Sequence, residues 1–228
     1  MNIFGVVLAV GVAASLVACG GGGGGGGSSG PIASTNTFNV QSGYKALTAA
    51  GWSKTFTTSG CTGSISITES APTTSTTFEG SAALAGTSVI STSFTNCTPA
   101  TSSTTETRYY DTNYVRLGYS VQGGGYGVYA SAPVIPVTAK VGDTGIVGSI
   151  NRYTNSTKAT SAGRQDVSFV VEADTATTAI LNVISKVYDA SSTLQVTEQD
   201  RYKVAADGSL TPYSMDIQYA NGVHIVGN

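Results

Sequence analysis

Between Leu194 and Val226 the chain reads LQVTEQDRYKVAADGSLTPYSMDIQYANGVHIV. Three alternating runs, Leu194–Val204, Leu210–Tyr219 and Val223–Val226, are separated by Asp207-Gly208 and Asn221-Gly222. Asp-Gly and Asn-Gly supply the positive φ of two-residue hairpin turns, whose twist matches that of antiparallel strands. On the first run Leu194, Val196, Tyr202 and Val204 share one face, and strict alternation puts Glu198 and Asp200 there too. Gln195, Thr197, Gln199, Arg201 and Lys203 take the other face. Two carboxylates on an apolar face suit a cation site, a sugar-hydroxyl site or an acid–base pair. Three plainer arrangements compete: a bulge turning the pair outward, an internal meeting with Arg116 or Arg152, or departure of that end from the sheet.

The same period of two extends backward. Gly63, Ile65 and Ile67 alternate with Ser64, Ser66 and Thr68, and further strands are expected near Thr76–Ala85, Thr87–Cys97, Thr107–Val121 and Gly127–Ala130. Others follow near Val134–Val141, Gly145–Tyr153, Val167–Ala173 and Thr178–Tyr188, with a turn at Gly142-Asp143. The one helix expected is short: Ser42 as cap, Tyr44 to Ala50 as body, Gly51 as stop, with Trp52 packed in the core behind it. Parallel strands need helical crossovers, which the pattern lacks. Charged residues are only 11% of the chain, and 32 Thr and 28 Ser take their place, a composition suited to hydroxyl-rich strand faces. The expected fold is mainly β: an antiparallel meander of ten to twelve strands curling into a half-barrel or barrel, with one short N-terminal helix.

Residues Ile3 to Ala18 form an uncharged apolar run. At 1.5 Å per residue it spans about 24 Å, short of the roughly 30 Å hydrocarbon core, and so reads as a signal peptide. It ends in Leu16-Val17-Ala18-Cys19, which resembles the lipobox of bacterial lipoproteins. That resemblance implies cleavage after residue 18 and acyl chains on Cys19. Because Gly20 is not Asp, it also implies sorting to the outer membrane. Eight glycines, Gly20 to Gly27, then Ser28-Ser29-Gly30 make a tether that buries nothing and stretches about 40 Å. The expected organisation is signal peptide 1–18, lipidated Cys and tether 19–30, and a single β-rich domain 31–228. Once Cys19 is acylated, Cys61 and Cys97 remain, and an exported domain favours their pairing over two separate buried thiols.

Other motifs are weighed against turn chemistry and packing. Asp143-Thr144-Gly145 matches an aspartic-protease triplet, but Gly142 precedes it and no second lobe is available; a turn explains it. Gly123-Gly124-Gly125-Tyr126-Gly127 lacks the following helix of a phosphate loop and reads as a hairpin loop. Tyr109, Tyr110, Tyr114, Tyr119, Tyr126 and Tyr129 crowd together, as packing residues or as a groove for glycan or lipid. His224 is the sole histidine, so neither a serine-hydrolase triad nor a zinc site is expected. Eleven scattered basic residues and a net charge of −2 argue against nucleic acid.

From Trp52 to Asn228 the chain resembles a group of poly-glycine-tethered bacterial lipoproteins of unknown function. The motifs are Thr77-Phe78-Glu79-Gly80, Tyr109-Tyr110-Asp111 with Tyr114, and Val141-Gly142-Asp143-Thr144-Gly145. Val171-Glu172-Ala173-Asp174 and Glu198-Gln199-Asp200-Arg201-Tyr202 belong to the same set. The strand-rich outline is also similar to half-barrel lipoprotein carriers. The expectation is a monomeric, non-enzymatic envelope lipoprotein without cofactor or metal, held to the membrane by acyl chains and binding a lipid, a glycan or an envelope protein. Glu198, Asp200, Tyr110 and Tyr114 are the candidate ligand contacts. A purely structural lipoprotein is the alternative, and a carboxylate-dependent hydrolase the third reading.

Overall fold

The structure, a computed structural model, describes residues 30–228; the expected signal peptide, Cys19 and the glycine tether up to Ser29 lie outside the described residues. One helix, α1 (Val40–Ala50), precedes β1 (Trp52–Ser59), β2 (Gly63–Glu69), β3 (Thr74–Phe78) and β4 (Ser81–Phe94). Then come β5 (Thr101–Tyr110), β6 (Arg116–Val121), β7 (Tyr126–Tyr129), β8 (Thr144–Tyr153) and β9 (Ser161–Ala173). The last are β10 (Ala179–Tyr188), β11 (Leu194–Val204), β12 (Leu210–Tyr219) and β13 (His224–Gly227). All pairings between these strands are antiparallel. The run from β4 to β13 pairs neighbour with neighbour, β13 meets β1, and β2 bridges β1 to β4. A twelve-stranded barrel is thereby closed, with β3 as an extra strand. The length of β4 makes both possible: Ser88–Phe94 pairs with β2 and Ser81–Ala85 with β3.

The turns fall at Asp207-Gly208 and Asn221-Gly222 as expected, but as three-residue loops with positive φ at the glycine alone, not as two-residue turns. They are closed by the Ala205 amide donating to Ser209 O (3.0 Å) and the Tyr219 amide to Val223 O (2.9 Å). The Gly208 amide donates to Ala205 O at 2.9 Å with φ 87°, and the Gly222 amide to Tyr219 O at 3.0 Å with φ 90°. Four of the expected elements need correction. Thr76–Ala85 is two strands, broken at Glu79 and Gly80, and Thr107–Val121 is also two, broken where the Asp111 carboxylate accepts the amides of Asn113 and Val115. Val134–Val141 is no strand; it crosses one barrel end and meets Phe38 through an isolated bridge at Ala139. The helix begins at Val40, with Ser42 inside its first turn, donating to the Asn39 carbonyl at 3.0 Å instead of capping.

Along the barrel axis the interior falls into layers. At the end away from α1, Phe56, Ile65, Phe94, Met215, Ile217 and Ile225 fill the bore. The Cys61–Cys97 disulfide ties the β1–β2 turn to the β4–β5 turn there, as expected. At the other end Phe38 and Val40 pack on Val171, Leu181, Val204 and Leu210. Here β13 falls short: beyond Gly227, the Lys54 ammonium spans from β1 to β12, donating to the carbonyls of Pro212 (3.0 Å) and Tyr213 (2.6 Å).

The outer face accounts for the composition. Serine and threonine hydroxyls pair across strands at Ser53–Thr68, Thr55–Ser66 and Ser91–Ser103. The β3–β4 hairpin lies against the outside of the wall: Phe78 stacks on Tyr109 with centroids 4.3 Å apart, and Glu79 accepts the Tyr126 hydroxyl at 2.7 Å and pairs with Lys158. The motif Thr77-Phe78-Glu79-Gly80 therefore builds a packing contact.

Candidate functional site

The middle layer of the barrel holds a cavity of about 180 Å³. Its roof is made by Val40, Tyr44 and Leu47 of α1 and by Ile135 and Pro136 of the crossing segment. Roof and helix are joined, since the Gln41 amide side chain donates to the Ile135 carbonyl at 3.1 Å. Its apolar wall comes from β8 to β10, with Ile150, Val167, Phe169, Leu181 and Val183. The rest of the wall is mixed: Trp52, Ile67 and Ile90 stand beside Glu69, Arg108 and Arg116 on one side, and Gln165, Glu198 and Asp200 are the polar groups of the other.

Strict alternation along β11 delivers Glu198, Asp200 and Tyr202 to this cavity. The nearest irregularity lies on the partner strand, where Tyr213 is the extra residue between Pro212 and Ser214. The bulge thus leaves the carboxyls facing inward. Opposite them, Arg108 forms an ion pair with Glu69 and a second with Glu106 at 3.1 Å, and Arg116 stands 3.7 Å from Glu106, which is fully buried. Burial opposes the charge on Arg108, yet Glu69 and Glu106 hold it well above the ordinary guanidinium range. Arg152, the other expected partner, is turned toward the Tyr119 hydroxyl at 3.3 Å.

Glu198 and Asp200 keep partial exposure, because they border the open space of the cavity. Among the described residues no Lys, Arg or His lies within ion-pair distance of either. Burial raises both carboxyls above their usual range, Glu198 to about 8 with added repulsion from Asp200, and Asp200 to about 6. The more distant charges of Arg108 and Arg116 offset part of this. Two neighbouring carboxyls of this kind titrate as a pair and hold a proton between them near neutrality. Burial also raises the phenols of Tyr110, Tyr129 and Tyr202, which therefore stay protonated donors around the cavity.

Of the four candidate contacts, the structure brings Glu198, Asp200 and Tyr110 to one cavity and leaves Tyr114 out. Tyr114 sits in the β5–β6 turn with φ 60°, its amide donating to Asp111 O. The crowded tyrosines divide likewise: Tyr109 and Tyr126 pack outside against Phe78, while Tyr110 and Tyr129 face the cavity. Four residues were missed: Glu69, Glu106, Arg108 and Gln165. A signal existed for two of them, since Glu106, Arg108 and Tyr110 alternate on β5 as Glu198, Asp200 and Tyr202 do on β11. The other motifs stay ordinary. Asp143 accepts the Lys140 amide within its turn, and His224 meets Asp216 at 2.9 Å on an exposed strand. Among the described residues no group of three His, Cys, Asp or Glu is placed to hold a metal ion. No known protein family, curated protein or solved structure matches the chain.

Proposed function

We propose that the protein is a lipid-anchored binding protein of the bacterial envelope, which holds a small ligand in its barrel without transforming it. The observation that carries this reading is the cavity inside the barrel, with carboxyls facing open space and no cationic partner beside them. A buried carboxyl without a partner is costly, and a bound ligand removes that cost. The volume sets the scale. At about 180 Å³ the cavity is below the roughly 300–1,000 Å³ of drug-sized sites and close to the roughly 150 Å³ that accepts benzene. Acyl chains or a glycan chain exceed it, so a lipid or glycan partner would meet the outer surface, while the bore suits a compact molecule.

The anchor follows from the lipobox and tether, and the character of the wall supports it. A barrel embedded in a bilayer presents an outward apolar band about 25 Å tall. Here the outward residues of β11 are Gln195, Thr197, Gln199, Arg201 and Lys203, and hydroxyl pairs cover β1, β2, β4 and β5. Such a wall favours water, which leaves attachment to acyl chains on Cys19. Hydrolysis by Glu198 and Asp200 is the less favoured reading, since a cavity of about 180 Å³ leaves an extended substrate little room beside both carboxyls.

Native mass spectrometry on the full protein, extracted mildly from bacterial membranes, tests both halves. The expected result is a mature chain beginning at acylated Cys19 and carrying one low-mass adduct lost on unfolding. An unmodified residue 19 removes the anchor; a lipidated chain without any adduct returns the protein to a purely structural role.

A further inference from the structure

We infer that the cavity is a site for a small organic cation, a primary ammonium on a compact apolar body, with Glu198, Asp200 and Gln165 as its acceptors. This rests on the reading of the barrel as a binding protein and specifies the ligand's chemistry. The basic groups near the bore are already engaged: Arg108 with Glu69 and Glu106, Arg116 with Glu106 and the Tyr119 ring, Arg152 with the Tyr119 hydroxyl, and Lys54 with two carbonyls. Arg116 keeps two nitrogens without a hydrogen bond, but its charge is answered by Glu106, whose Oε2 stands 3.7 Å from Nη2. Glu198 and Asp200 have no such counterpart among the described residues.

An independent observation points the same way. Gln165 of β9 lines the same cavity at 5% exposure; its amide nitrogen donates to the Ser185 hydroxyl at 3.0 Å, and its Oε1 has no partner. Ser185 of β10 is the direct cross-strand neighbour of Glu198 on β11, and Gln165 of β9, opposite Val187 of β10, reaches diagonally to Ser185. Its amide therefore comes beside Glu198, with Asp200 one inward position further along β11. Two carboxyls and one amide oxygen give three acceptors, and an alkylammonium has three N–H donors. A divalent metal would need a fuller set of oxygen ligands than this. Val167, Leu181 and Val183 offer the apolar body dry contact, and the Tyr202 ring beside Asp200 adds a face that attracts cations.

The test uses three probes of one shape on the full chain: benzylamine, benzyl alcohol and benzoate, titrated calorimetrically at pH 7.5. Benzylamine is expected to bind at least tenfold more tightly than benzyl alcohol, with benzoate weakest. In the double variant Glu198→Gln with Asp200→Asn the preference for the amine should vanish while the alcohol still binds, which shows that the variant keeps its cavity. Gln165→Leu should weaken the amine severalfold and leave the alcohol unchanged. If the alcohol binds as well as the amine to the native protein, the bore is a binding site but the cation assignment is wrong. If no probe binds, both the assignment and the binding reading it rests on fall.

Discussion

At Glu198 and Asp200 the physics is that of carboxyls held above their ordinary range by burial, with Glu69, Glu106, Arg108 and Arg116 as the charged groups facing them. An acid whose folded pKa exceeds its unfolded value binds more protons when folded. Its contribution is therefore complete below the unfolded pKa of about 4 and is lost as pH rises through the folded value. Stability should decline between about pH 4 and pH 8. Melting temperatures at pH 5 and pH 8.5 check this: the native chain should melt lower at pH 8.5, and Glu198→Gln should flatten the difference by raising the alkaline value. A melting temperature that stays level or rises would show that the pair is solvated. The other carboxyls with displaced pKa values, Glu79 and Asp207, are lowered and act below this window. The inward placement of this pair was readable, because period two on β11 runs unbroken from Val196 to Val204; Leu194, expected on the same face, lies beyond the extra residue Gln195 and is exposed. Gln165 was not, since a lone glutamine in a strand gives no sign of which side its neighbours will close. Tyr114 misled because adjacency to Tyr109 and Tyr110 suggested a shared surface, whereas a turn at Asp111 carries it away.

Among elements, α1 shows how a local rule can point the wrong way. Gly43 lies within the helix, where alanine is favoured by about 1 kcal/mol. Yet a Cβ there would stand 2.0 Å from the Gly208 carbonyl oxygen, in the β11–β12 turn, and that contact is backbone. Gly43→Ala should therefore destabilise the protein by about 1–3 kcal/mol, as overpacking does, and loosen the roof of the cavity. Urea denaturation measures the sign; a gain in stability would mean that the helix does not press on the hairpin. The strand boundaries of β11 and β12 were legible because apolar alternation and Asp-Gly coincide. By contrast β1 went unrecognised: Ser53, Lys54 and Thr55 offer few apolar residues, and Lys54 has its place because it bridges a gap in the wall. Pro133 and Pro136 should have demoted Val134–Val141, as proline removes ladder donors.

For the whole molecule, the open question in the sequence was whether the meander closes, and closure depends on residues far apart in the chain. Strand β1 meets β13 only through Thr58 with Gly227 and Ser59 with Val226, extended by mutual hydrogen bonds of Thr57 and Asn228. Such a long closure is entropically demanding, and nothing in local periodicity reports it. The barrel is thus weakest at this seam. The disulfide lies beside it, tying the β1–β2 turn to the β4–β5 turn across a separation of 36 residues. Removing it in Cys61→Ser with Cys97→Ser frees the unfolded chain and should cost about 3–4 kcal/mol. It also releases the hairpin that forms one lip of the seam, an effect that acts on the folded state. The two contributions separate in hydrogen exchange. A loss through the unfolded chain alone speeds the best-protected amides of β9 and β10 as much as any others, whereas release of the lip adds a local opening. The amides of Thr57, Ser59 and Asn228 should therefore accelerate beyond those of Val167 and Val183 in the double variant. Equal acceleration across the barrel would show that β1 and β13 are held by the packing of Phe56, Met215 and Ile225 beneath them, without help from the bridge.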